Sequence, residues 1–287
     1  ECMVTVHAIR TGSVRIKTAQ LVAPHPGPLG IVGVLADRDW SGWLPTYAFA
    51  IEHRDGVIVV DTGQATALIA EVRRSLHPFL RTCAQFEMTE DDEIGPQLKA
   101  LGIAARDVTQ VVLTHMHIDH DAGLAHFPRS RIRAAAGEVA AASGWLGTLR
   151  GYLPGRWPDW LSPEPLQFDG PPVGPFAASA TLTADGSVRV VQTPGHTADH
   201  VSVILEDGAE TLFLAGDASY SEDALLRGEI DGISPNAGRT AATLARIRQL
   251  AADRPLIYLP THDPDTGDRL ARRRIVPLFE RSTVDAA

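Results

Sequence analysis

The stretch Thr114-His115-Met116-His117-Ile118-Asp119-His120-Asp121 decides the reading of this chain. Three His and an Asp fall within six positions, directly after the apolar run Val111–Thr114, which predicts a short buried strand. In extended backbone, residues i and i+2 point the same way, so His115 and His117 can reach one metal together. Once the chain turns, Asp119 and His120 can point at a second metal nearby. Imidazole and carboxylate suit zinc, whose catalytic sites use three protein ligands plus water. Surface histidines would not follow a buried strand, nor have partners downstream.

Those partners lie after other predicted strands. Thr193-Pro194-Gly195-His196 follows Val188–Gln192, and Ala215-Gly216-Asp217 follows Thr211–Leu214. Pro260-Thr261-His262 follows Leu256–Leu259, and Asp61-Thr62-Gly63 follows Ile58–Val60. Active sites of α/β proteins collect at strand ends in this way. Each downstream residue alone would be an ordinary loop residue; the five together are specific.

Outward from this centre, strands and helices alternate. Val4–Arg10 and Ser13–Lys17 read as strands around Thr11-Gly12, and Tyr47–His53 and Val57–Asp61 as a hairpin across Arg54-Asp55-Gly56. Helices are predicted over Ala65–Leu76, Glu93–Leu101 and Thr240–Ala251, and from near Gly137. Irregular segments span about 24–45 and 145–175; within Gly151–Pro175, seven Pro and four Gly exclude regular elements. No linker or low-complexity block divides the chain, so residues 1–287 read as a single mixed-sheet α/β domain.

Composition sets the class. Apolar residues make up 44% and charged residues 21%, enough apolar surface for a packed core rather than disorder. The net charge of −9, with no basic run, argues against nucleic acid and anionic membrane surfaces as partners. The longest apolar run, Leu29–Ala36, is far short of a membrane span. Two cysteines, Cys2 and Cys83, make no disulfide framework, and no basic and apolar leader follows Glu1-Cys2-Met3. A cytoplasmic location with reduced thiols is the expectation.

The whole pattern from Asp61 to His262 resembles the metallo-β-lactamase superfamily, whose fold is a four-layer αββα sandwich of two mixed β-sheets flanked by helices. The resemblance implies two zinc ions, one on His115, His117 and His196, the other on Asp119, His120 and His262, with Asp217 bridging. It places Asp61 behind the ligands, where carboxylates orient histidines. Glu stands at the position of His117 in diiron relatives, and Cys at the position of Asp217 in antibiotic-degrading enzymes. Asp217-Ala218-Ser219-Tyr220 is instead similar to bacterial N-acyl homoserine lactonases, the quorum-quenching enzymes, in which a Tyr three residues after the bridging Asp contacts the lactone. Ile118 replaces that group's usual Phe or Leu.

The resemblance therefore implies a hydrolase that opens a lactone ring by attack of a metal-bound hydroxide, made nucleophilic between two zinc ions. Tyr220 would steady the oxyanion and Asp119 would carry the proton to the leaving alkoxide. Other hydrolyses suit the same site, on phosphotriesters, phosphodiesters or thioesters; the cluster Arg269, Arg272, Arg273 and Arg274 keeps the thioester reading open. A non-catalytic metal-binding protein would have lost ligands, and none is missing. The substrate pocket is expected under Trp40, Trp43, Trp157 and Trp160, with Ile118 beside the metals; Trp145 lies near the second loop. Core capping or a homodimer interface is the competing use for these tryptophans. His200 is expected to be structural, and His126 to pack or lie at the surface.

Overall fold

The computed structural model describes residues 4–74, 77–149 and 151–279. Cys2, and with it any pairing with Cys83, lies outside them, as does the end of the helix expected to reach Leu76. Twelve strands are present among the described residues: β1 (Thr5–Ile16), β2 (Leu44–His53), β3 (Gly56–Val60), β4 (Ala84–Glu87), β5 (Val108–Val112), β6 (Arg131–Ala134), β7 (Glu164–Pro165), β8 (Ala180–Thr181), β9 (Val188–Gln192), β10 (Val201–Asp207), β11 (Glu210–Gly216) and β12 (Leu256–Pro260).

They form two mixed sheets. One runs β4-β1-β2-β3-β5-β6-β7 and the other β12-β11-β10-β9-β8. Side-chain alternation along each strand explains how they stack. Phe49, Ile51, Ile58 and Val60 point inward to meet Val190, Val203, Leu212, Leu214 and Ile257 of the second sheet. Their neighbours Ala48, Ala50 and Val59 point outward and pack under Ile94 and Leu98 of the helix Ile94–Ala100. On the opposite outer face, Val191, Ile204, Phe213 and Tyr258 lie against Leu244, Ile247 and Leu250 of the helix Ala237–Asp253. The result is helix, sheet, sheet, helix: the αββα sandwich.

Three local expectations change. The two N-terminal strands are one, β1, with an irregularity between Arg10 and Ser13 that absorbs Thr11-Gly12. The segment 24–45 is not wholly irregular: Gly30–Ala36 forms two turns of helix, which bury Gly30 and Val34 and leave Ile31, Val32 and Leu35 on the outside. The segment 145–175 is not wholly irregular either: it begins within the helix Gly144–Leu149, and its Pro-rich part contributes the two-residue edge strand β7, an edge being where Pro is tolerated. No helix among the described residues is long and apolar enough to cross a membrane.

Candidate metal centre and cavity

β3 and β5 run parallel in the first sheet, and β9, β11 and β12 share one direction in the second. Their carboxyl ends open on the same edge of the sandwich. Asp61 follows β3, His115 lies three residues past β5, His196 follows β9, Asp217 follows β11, and His262 follows β12. Gly216 makes the turn into Asp217 possible. Its φ is +57°, and a Cβ there would stand 2.8 Å from both His200 Nε2 and Thr114 Cβ.

All seven expected metal ligands converge. Their ligand atoms form three overlapping groups, each within 4.8 Å: His115, His117 and His196; His115, His120 and Asp217; Asp119, His120 and His262. His117 Nδ1 lies 3.1 Å from His115 Nε2 and 3.0 Å from His196 Nε2. Asp217 spans both halves, with Oδ1 3.4 Å from His120 Nε2 and Oδ2 3.4 Å from His196 Nε2 and 3.3 Å from His262 Nε2. Asp119 Oδ2 is 3.5 Å from His262 Nε2.

Three of these histidines are steadied from behind. Asp61 Oδ2 takes His120 Nδ1 at 2.8 Å, and its carboxylate also accepts the Thr114 amide at 2.7 Å and the Thr114 hydroxyl at 2.8 Å. His262 Nδ1 reaches the Pro45 carbonyl at 2.9 Å. Asp231 backs His196 Nδ1 at 3.4 Å and is itself pinned by the amides of Ile233 and Ser234 and the Ser234 hydroxyl. Such partners fix ring orientation and tautomer. Asp231 escaped the sequence reading because no spacing links Glu229-Ile230-Asp231-Gly232 to the histidine motif. His200 is structural: its Nε2 accepts the Asp217 amide at 3.1 Å while Nδ1 meets Thr193 Oγ1 at 2.9 Å. His126 pairs with Glu93 at 2.7 Å, away from the cavity.

Burial, with the neighbouring imidazoles, drives His115 and His117 well below the usual histidine range, so both rings are neutral with lone pairs to give. Burial also opposes charge on His120, but Asp217 and Asp61 outweigh it and raise the ring. Against the same burial, His262 and His120 hold Asp217 well below the carboxylate range. His120 Nε2 and Asp217 Oδ1 are buried and face each other at 3.4 Å without making a hydrogen bond to each other or to any other group in the fold. Buried polar atoms are normally satisfied, so inward-facing orphans within a convergent N/O donor set fit divalent metal ions.

The site forms the floor of a cavity of about 760 Å³. His117, Asp119, His196, Asp217 and His262 open into it, with Tyr220 above them. The Tyr220 ring centroid is 5.9 Å from that of His196 and 5.5 Å from that of His262. Above this polar floor the walls are mostly apolar, with Val14, Ile16, Phe79, Leu80, Phe86 and Ile118.

The tryptophans are placed differently from the pocket roof expected. Ile118 does line the cavity, but Trp40, Trp43, Trp157 and Trp160 do not. Trp40 lies under the Lys17 ammonium, 4.1 Å from its ring centroid. Trp157 is drawn away by its N–H, which donates to Asp121 Oδ2 at 2.6 Å. Trp43 and Trp160 face solvent. Helix Gly30–Ala36 supplies Ile31 and Leu35 to the cavity instead. The arginine cluster is also accounted for. Arg269 binds Asp263 and Glu222, Arg273 binds Asp207 and Glu210, and Arg272 and Arg274 bind Asp268. None of the four lines the cavity.

Residues 41–262 match the model of the metallo-β-lactamase superfamily, and the chain belongs to that superfamily. It is a metal-dependent hydrolase of that fold. A protein of Mycobacterium tuberculosis named probable metallo-hydrolase is 29% identical over 241 residues, 77% of this chain and 76% of its own length. An N-acyl homoserine lactonase of Azorhizobium caulinodans is 27% identical over 234 residues, 77% of this chain and 83% of its own. Among solved structures, an N-acyl homoserine lactone hydrolase with N-hexanoyl-L-homoserine bound at its catalytic metal center superposes with a TM-score of 0.74. It shares 19% identity, and the match covers 95% of this chain and 97% of that one.

Proposed function

We propose that this chain is a dinuclear zinc hydrolase that opens lactone rings, with N-acyl homoserine lactones as its substrate class. The observation that carries the reading is Tyr220, whose phenol stands over the His and Asp cluster in a cavity with a polar floor and mostly apolar walls. A lactone with an acyl tail has the same division.

His115, His117 and His196 would hold one zinc and Asp119, His120 and His262 the other, with Asp217 shared. When bound, the two ions supply an activated water and polarise the carbonyl under attack. The chain's own residues do the rest. Tyr220 stays a phenol, because burial and then Asp217 and Asp231 raise it well above the ordinary tyrosine value. It can therefore donate its O–H to the ring carbonyl oxygen as negative charge builds there. Asp119 lines the cavity and is partly exposed, so its carboxylate can take a proton and return it to the ring oxygen that leaves. Ile16, Phe86 and Ile118 shed water from the tail. In this reading residues 1–287 act as one domain.

A panel of lactones, thioesters and phosphate esters on the zinc-loaded protein tests the substrate class; turnover of esters of the other two classes with no lactone opened would overturn it. Elemental analysis after zinc supplementation is expected to find about two equivalents per chain. One persistent equivalent would overturn the dinuclear centre. Asp217→Ala is expected to lose more metal than Asp61→Ala, since the first residue faces both halves of the site.

A further inference from the structure

Gln20 stands in the cavity wall beside Tyr220 and is nine-tenths buried, at 6% exposure. Its Nε2 donates to the Tyr220 hydroxyl at 2.8 Å, although the two residues are 200 positions apart. Because the phenol oxygen accepts this bond, its own proton is left for another acceptor. The other end of the same amide, Oε1, is buried and has no partner in the fold. The short helix Thr18–Leu21 that carries Gln20 is fastened by the bond from the Gly232 amide to the Gln20 carbonyl, at 2.9 Å. Gly232 packs so closely that a Cβ there would stand 2.2 Å from the Ala19 carbonyl oxygen. A buried carbonyl oxygen held without a partner is costly, unless a ligand brings the missing N–H.

We infer that Gln20 is a specificity-determining residue which reads the amide N–H of an N-acylated lactone through Oε1 while its Nε2 aims Tyr220 at the ring carbonyl. The inference rests on the lactonase reading above. Its geometric basis is a match of neighbours. Oε1 and Nε2 are the two ends of one planar amide. In the substrate, the ring carbonyl that Tyr220 would touch and the amide nitrogen are separated by a single carbon. One side chain can therefore meet both, one contact directly and the other through the phenol. A lactone without the N–H would leave Oε1 unpaired in the complex as it is in the free protein, and would gain nothing there.

The test compares two substrates of equal tail length on the zinc-loaded protein: an N-acyl homoserine lactone, and the γ-lactone in which a methylene replaces the amide nitrogen. Gln20→Met keeps the shape and removes both polar ends. Its kcat/KM on the amide lactone is expected to fall about two- to tenfold more than on the amide-free one, the worth of one hydrogen bond. That extra loss should appear in KM. The loss common to both substrates should appear in kcat and vanish in a Tyr220→Phe background, where there is no hydroxyl to aim. Equal losses on both substrates would overturn the amide contact while leaving the lactonase reading intact. If the unaltered protein opens neither lactone, the lactonase reading fails, and this inference with it. Should Gln20→Met not fold, Gln20→Glu keeps the acceptor and loses the donor. It should retain the preference for the amide lactone with lower kcat on both, and loss of that preference would overturn the inference.

Discussion

Asp61 holds His120 Nδ1 at 2.8 Å and, through its second oxygen, the Thr114 amide at 2.7 Å. One carboxylate thus fixes both Thr114, at the start of the histidine motif, and the His120 ring six residues further on. To reach both, Asp61 adopts a left-handed backbone conformation, φ +57°, unusual for a residue other than glycine.

Removing this carboxylate should weaken metal binding without removing a ligand. Asp61→Ala is expected to lower zinc affinity about 10- to 100-fold, the usual cost of losing a partner behind a ligating histidine. Competition against a chromogenic chelator measures it. Unchanged affinity would mean that packing alone orients His120.

Tyr220→Phe keeps the ring and removes only the hydroxyl. Metal content should match the unaltered protein, while the thermal midpoint should fall by a few degrees, because the buried Gln20 Nε2 loses its acceptor. On homoserine lactones kcat should fall about tenfold to a hundredfold, less than the loss of a sole oxyanion donor, because the metals share that charge. Unaltered kcat/KM would withdraw the main support for lactone chemistry.

Chain-length preference should follow the cavity walls and not the tryptophans. Each methylene buried is worth about 0.8 kcal/mol, or about fourfold in kcat/KM. Phe86→Ala is expected to flatten the rise in kcat/KM with acyl length, whereas Trp40→Ala, outside the cavity, should leave its slope unchanged. The opposite pattern, measured over a series of tails, would return the tryptophans to the pocket.

Arg156 pins the Pro-rich segment to the metal motif through an ion pair with Asp121. Burial pushes its guanidinium down to about 10, still a cation at neutral pH. Arg156→Met should strand the buried Asp121 carboxylate, leaving Trp157 as a single donor, and cost about 3–5 kcal/mol in urea denaturation. A cost below about 1 kcal/mol would show the pair to be dispensable.

Asp185 offers a pH test remote from the metals. The amide and hydroxyl of Ser187, then the Thr183 hydroxyl, hold its carboxyl well below the usual range. Folding lowers this pKa, so its stabilisation is complete above the unfolded value of about 3.9 and fades as pH falls towards the folded one. At 31% exposure the contribution is modest. Asp185→Asn should cost about 1 kcal/mol at pH 6 and less at pH 3, by denaturation at both. A penalty that grew on acidification would contradict this.

The seven His and Asp positions that converge, and the mixed α/β class, were legible in the chain itself. Their information is local: four of the seven lie in one motif that follows a strand, and His196, Asp217 and His262 each follow another strand, whose apolar runs announce themselves. Strand ends also tell where such residues gather, because parallel neighbours carry them to one edge. What only the tertiary structure decided were contacts between residues far apart in the chain and bound by no period. Asp231 behind His196 and Gln20 against Tyr220 are of this kind. The tryptophans show the same limit from the other side. Composition placed them in loops, but the destination of a loop is set by which buried group needs its donor. Trp157 went to Asp121 and Trp40 to Lys17, and the cavity was walled instead by β1, β4 and the helix Gly30–Ala36.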